Sequence, residues 1–122
     1  MSEPIQYVVE WTIRPGETER FSELAREASR LVAANEPDMV GYHWYLDEDG
    51  EHCTLLEWYP DAEHLAPHRE NMAAVLPRLL EVASMTVRAF GGLDADTRDA
   101  LGARGVPYRA HIAGHTGRSA VS

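Results

Sequence analysis

Between Leu55 and His68 the chain reads LLEWYPDAEHLAPH, a run that changes from strand to helix partway along. Residues 52–59 are dense in aromatic and aliphatic side chains and hold no turn residue, the composition of a strand. Pro60–Asp61 stops that strand and can cap a helix. Beyond it, Leu65, Met72, Val75, Leu76, Leu79 and Leu80 recur at helical spacing, and His68 falls in the row of Leu65, Met72, Val75 and Leu79. A helix laying that row on a sheet carries His68 inward. An inward imidazole is either a core residue bonded to backbone or a group lining a cavity, and spacing alone leaves both open.

The remaining segments alternate in the same way. Residues 5–13, IQYVVEWTI, form a β-rich run ended by the turn signal Arg14–Pro15–Gly16. From Glu17 to Asn35, Phe21, Leu24, Ala25, Ala28, Leu31 and Val32 make one apolar stripe, with Glu23/Arg26 and Glu27/Arg30 as exposed pairs opposite. Glu36–Pro37–Asp38 ends that helix. Residues 40–47 and 52–59 then flank a turn at Asp49–Gly50, the strongest short hairpin signal. The second helix is expected from Asp61 to about Ala83, bent or interrupted by Pro67 and Pro77, and residues 84–92 supply strand four.

The order β-α-β-β-α-β specifies an α+β fold, the ferredoxin-like arrangement in which an antiparallel sheet carries both helices on one face. The opposite face needs cover, and a second copy of the chain is the cheapest source, which predicts a homodimer. Residues 94–105 and 106–114 are expected to add a short helix and a fifth strand on a sheet edge. Residues 1–122 thus read as one domain: a 5–92 core, a 93–114 helix–strand extension and a flexible tail at 115–122.

Composition narrows the function classes. A net charge of −9 argues against nucleic acid or an anionic membrane as partner and favours a neutral or cationic small molecule. All eleven basic residues are Arg, so no Schiff-base lysine or P-loop lysine is available. The single Cys53 excludes an intrachain disulfide, and MSEPIQ has no secretory character, so a cytoplasmic setting is expected. His64 and His68 have the i,i+4 spacing of a helical metal pair, but no H-E-x-x-H pattern or carboxylate cluster accompanies them, and no metal is expected. Flavin, NAD and nucleotide motifs are likewise missing, so no cofactor is expected.

Strand-one YVVEWTIRPGE, the Gly41–Tyr42 pair and LLEWYPDAEHLAPHREN together resemble the antibiotic biosynthesis monooxygenase family of dimeric α+β barrels. The resemblance covers about residues 5–92. It implies a cofactor-independent monooxygenase acting with dioxygen on a phenolic or polycyclic, polyketide-like aromatic. It matches Glu57 to the family's acidic residue in strand three and His68 to its helix histidine. Asn71 stands near a position where members often carry Ser or Thr, and the following MAAV lacks their second His. Val9, rather than Asn, occupies the strand-one position that the haem-degrading branch uses, and His68 stands where that branch has Trp, which argues against haem degradation.

The hairpin register expected from Asp49–Gly50 sets His43 opposite Leu56 and Tyr45 opposite Thr54. His43, Tyr45 and Trp58 then share one face; Tyr42, Trp44, Glu57 and Tyr59 share the other. Because the resemblance puts the strand-one cleft position at Val9, Tyr7 and Trp11 are expected on the cleft side, with His43, Tyr45 and Trp58 beside them. His68 and His43 are the candidate bases, and Tyr7, Trp11, Tyr45, Trp58, Asn71 and Glu57 the candidate substrate contacts. A base in such a pocket deprotonates a phenol or enol to an anion that reacts with dioxygen. It serves a cyclase or isomerase of a polyketide-type intermediate equally well, and a non-catalytic binding or accessory protein is the reading from a different class.

Overall fold

The computed structural model describes residues 3–117. Strand β1, Ile5–Ile13, buries Ile5, Val9, Trp11 and Ile13 on alternate positions. Helix α1, Thr18–Asn35, buries the stripe Phe21, Leu24, Ala25, Ala28 and Val32 against the sheet. Each side chain as fully covered as Phe21 contributes about 1.5–3 kcal/mol through burial. The Thr18 hydroxyl donates to the carbonyl of Gly50 at 2.6 Å, tying the start of α1 to the distant hairpin.

Strands β2, Gly41–Leu46, and β3, His52–Tyr59, pair antiparallel with His43 opposite Leu56 and Tyr45 opposite Thr54, the register read from Asp49–Gly50. Gly50 takes a φ of 71°, and the Asp49 carboxylate accepts the backbone N–H groups of Glu51 and His52, which closes the turn. With β4, Ala83–Gly91, the sheet runs β2-β3-β1-β4, and both helical layers cover one face. This is the ferredoxin-like α+β fold.

The second helical segment differs in detail from the expectation. A 3-10 turn at Ala62–His64, capped by Asp61, leads into α2, Leu65–Asn71, and α3, Leu76–Val82, follows after a break. Pro67 lies in the first turn of α2, where its missing N–H costs nothing, and the helix passes through it. The interruption belongs to Pro77, at the start of α3. A continuous helix would drive the proline ring into the Ala73 carbonyl, so the chain turns over residues 72–75 and begins a new helix.

Beyond β4, Gly91 adopts a φ of 101°, and a Cβ there would stand 2.3 Å from the carbonyl oxygen of Pro4. The chain then forms α4, Ala95–Ala103, with Asp94 as its N-cap. The expected strand over 106–114 shortens to β5, Tyr108–Arg109, which pairs parallel to β4 within the same chain. Pro107 has no N–H to offer and contributes only its carbonyl, which accepts from the Ala89 N–H at 2.9 Å, while residues 110–117 hold no regular structure. The last five residues of the expected tail lie outside the described residues.

Among the described residues no helix covers the second face of the sheet. It presents Tyr45, Leu56, Trp58 and Phe90 among polar neighbours, with Tyr45 55% and Leu56 42% exposed.

Candidate active site

A cavity of about 320 Å³ lies between the sheet and α2–α3, within the size range of small-molecule sites. Tyr7, Val9 and Trp11 of β1 form its floor with Tyr42, Trp44, Leu55, Glu57 and Tyr59 of the hairpin. Leu65, His68 and Met72 supply the helical side, and Leu101, Arg104 and Val106 of the extension close the outer part.

His68 occupies the inner end, buried to 8% exposure, and a carboxyl group faces each of its ring nitrogens. Nδ1 is 2.9 Å from Oε1 and 3.0 Å from Oε2 of Glu36, the residue that ends α1. Nε2 is 3.7 Å from Oε1 of Glu57 on β3, too far for a direct hydrogen bond. The short contact engages Nδ1 with the Glu36 carboxylate, and Nε2 has no hydrogen-bond partner among the described residues. Tyr59 and Tyr42 pack edge-on against the imidazole, with centroids 5.4 Å and 5.6 Å away, and hold its plane.

The electrostatics follow from burial. Removal from water holds the Glu57 carboxyl above the usual carboxylate range. His68 and the hydrogen bond donated by the Tyr59 hydroxyl work against that rise, whereas the charge of Glu36 adds to it. Burial, reinforced by Glu57, also pushes the hydroxyls of Tyr7, Tyr42 and Tyr59 up, so all three stay protonated at neutral pH; Tyr59 donates to Glu57 and Tyr42 to the Met72 sulfur. Glu36 is fixed in turn by the Asn71 side-chain amide, which donates to its Oε2 at 2.6 Å and to the Leu31 carbonyl at 3.0 Å.

Tyr7, Trp11, Glu57 and His68 therefore come together, but two other expectations are corrected. His43, Tyr45 and Trp58 lie on the uncovered face, because the register pairs Tyr7 with Glu57 and Val9 with Leu55, setting the β1 cavity residues beside Tyr42, Trp44 and Tyr59. Asn71 does not line the cavity; it stands behind Glu36 and holds that carboxylate. His64 is turned away from His68, with Nδ1 2.7 Å from Asp61 and Nε2 3.7 Å from Asp38. A wider groove of about 650 Å³ runs between β2 and α1 past His43, Arg26 and Arg30, and neither His68 nor the two buried glutamates reach it.

The family model for antibiotic biosynthesis monooxygenases matches residues 4–76. The chain belongs to this family. No curated protein matches it in sequence. Among solved structures, MupZ from Pseudomonas fluorescens superposes with a TM-score of 0.81 at 17% identity, covering 98% of both chains and so including the extension. A Caulobacter crescentus protein classed among antibiotic biosynthesis monooxygenases gives a TM-score of 0.67 at 19% identity, covering 77% of this chain and 91% of its own. A Nitrosomonas europaea protein of the same class gives 0.67 at 17%, covering 78% and 95%. At these identities the likeness is one of fold. Within that fold, this antibiotic biosynthesis monooxygenase chain places a buried Glu–His–Glu cluster at the closed end of the cavity.

Glu36, Tyr42 and Tyr59 belong to the site without standing among the candidates expected from sequence. Glu36 sits in a Glu–Pro–Asp stop signal, where a carboxylate ordinarily faces water. Its one sequence clue is position: the last turn of a helix packed beside the His68 helix. Tyr42 and Tyr59 were visible as a shared face with Glu57, and that acid on the face was itself the sign of a site.

Proposed function

We propose that this protein is a cofactor-independent monooxygenase of phenolic or polycyclic aromatic small molecules, with His68 as general base. The observation that carries this reading is the tie of His68 Nδ1 to Glu36, which leaves Nε2 as a buried, oriented proton acceptor at the end of an aromatic-lined cavity. A substrate such as an anthrone presents an acidic C–H or enol O–H to Nε2. His68 takes the proton, and Glu36 and Glu57 stabilise the imidazolium that forms. The substrate anion transfers electron density to dioxygen, a C–O bond forms, and the peroxide recovers the proton from His68. Loss of water leaves a carbonyl, so a CH₂ group and O₂ become C=O and H₂O without an external reductant. The buried site keeps bulk water from quenching the anion.

The test is oxygen uptake with anthrone by chelator-treated protein, against the uncatalysed rate. Uptake matched to anthraquinone formation, lost in His68→Ala, supports the reading. Conversion that proceeds equally under nitrogen would assign the same base to a cyclase or isomerase. Binding without turnover of anthrones, naphthols or phenols would leave a non-catalytic binding protein.

A further inference from the structure

The charge on the cavity wall is unevenly distributed. Among the described residues its one acidic lining residue, Glu57, is at the inner end beside His68, with Glu36 behind the ring. Its two arginines, Arg69 on α2 and Arg104 at the end of α4, both line the cavity and are both exposed, which puts them at the rim. Among the described residues neither guanidinium has a carboxylate within 4.0 Å; of the described arginines only Arg20 and Arg78 do, with Glu81 and Glu27. Between the two ends the outer wall is apolar, built from Leu101 and Val106 of the extension and from Val87.

We propose that Arg69 and Arg104 bind a carboxylate on the aromatic substrate at the cavity mouth, so that the ring lies along the apolar wall and its acidic hydrogen reaches His68. This rests on the cavity being the substrate site. A guanidinium matches a carboxylate with two parallel hydrogen bonds, and two guanidiniums flanking one opening favour a monoanion over a neutral group. The inner end repels the same anion, because Glu36 and Glu57 already crowd it with carboxyl oxygens. The two ends together therefore admit the substrate in one orientation only. The field of Arg69 extends inward: it pulls against the rise that burial and Glu57 impose on the Tyr7 hydroxyl. The overall charge of −9 favours neutral or cationic ligands only at long range, and at physiological salt it is screened beyond about 8 Å, so the contact charges decide.

The probes are 6-hydroxy-2-naphthoate and its neutral amide, 6-hydroxy-2-naphthamide, titrated by calorimetry while the His68 ring signals are followed by NMR. The acid is expected to bind about tenfold more tightly than the amide and to weaken selectively as salt is raised. In the Arg69→Gln/Arg104→Gln protein the acid falls to the affinity of the amide. Equal binding of acid and amide to the unmodified protein, or a parallel loss of both in the double variant, overturns the proposal. If the amide binds and shifts His68 while the acid is no tighter, the charge assignment fails and the cavity reading stands. If neither ligand binds or shifts His68, both fail.

Discussion

Glu36 and His68 are 32 residues apart in sequence, and their bonded atoms are 2.9 Å apart. One ends α1, the other lies on α2, and the carboxylate decides which imidazole nitrogen is free. The candidate base is thus set by the packing of two helices rather than by its own helix alone.

His68→Ala is expected to lower the rate of anthrone oxidation by about 10²- to 10⁴-fold, the usual contribution of a positioned base. His43→Ala, on the opposite face of the sheet, leaves kcat within about twofold, because a group outside the cavity contributes none of that base catalysis. Steady-state oxygen uptake on both variants checks the pair. A large loss in His43→Ala would move the site to the uncovered face.

Glu36→Gln retains an acceptor for Nδ1–H but removes the charge that stabilises imidazolium. The expected result is a kcat lower by about tenfold or more, with KM little changed and the fold intact by circular dichroism. Glu36→Ala also strands the buried ring and the Asn71 amide, at a cost of about 1.5–3 kcal/mol. Chemical denaturation measures the difference.

Glu57 gives a stability signature in pH. Its folded-state pKa lies above its ordinary value of 4.5, so the native state holds the proton more tightly than the unfolded chain. Its contribution is therefore most favourable below about pH 4.5 and is lost as pH rises through the raised folded value. Glu57→Gln should melt higher than the parent at neutral pH, with the gap closing on acidification. A constant gap from pH 4 to pH 8 would contradict the shift.

The uncovered face predicts a homodimer. Light scattering should give about twice the 13.6 kDa chain mass at micromolar concentration. Leu56→Glu, placing a charge among Tyr45, Trp58 and Phe90, should weaken association by at least about tenfold. A monomer at every accessible concentration would remove the dimer.

Gly91→Ala tests the joint between core and extension. With a φ of 101° and a carbonyl 2.3 Å from the new Cβ, the backbone must shift, at a cost on the order of 1–3 kcal/mol. Faster proteolysis after Gly91 than in the parent would report release of α4 and β5.

Most of the scaffold was legible because alternation and helical periodicity each fix a local geometry. The β1 bounds, the α1 stripe, the hairpin register and the inward direction of His68 follow from residue spacing. The packed face of the sheet did not follow, because both faces carry aromatics: Tyr45 and Trp58 on one, Tyr42, Trp44 and Tyr59 on the other. Alternation separates two sets without saying which meets the helices. Glu57 was the discriminating residue, and matching it to a family acid while assigning its neighbours outward split a set that strand geometry requires to stay together. Glu36 and the shortened β5 escaped for another reason. A carboxylate beside Pro37 and a strand limited by Pro107 depend on what the rest of the chain brings alongside them, which no local pattern records.

The turn at Gly91 divides the cavity between two stretches of chain. The base, its two carboxyl partners and the aromatic floor come from the segment that the family model spans, whereas Leu101, Arg104 and Val106 come from beyond it. The outer wall of the cavity is thus separately heritable: the stretch after Gly91 can be exchanged between relatives, by recombination or by chimera, while the atoms around His68 stay in place.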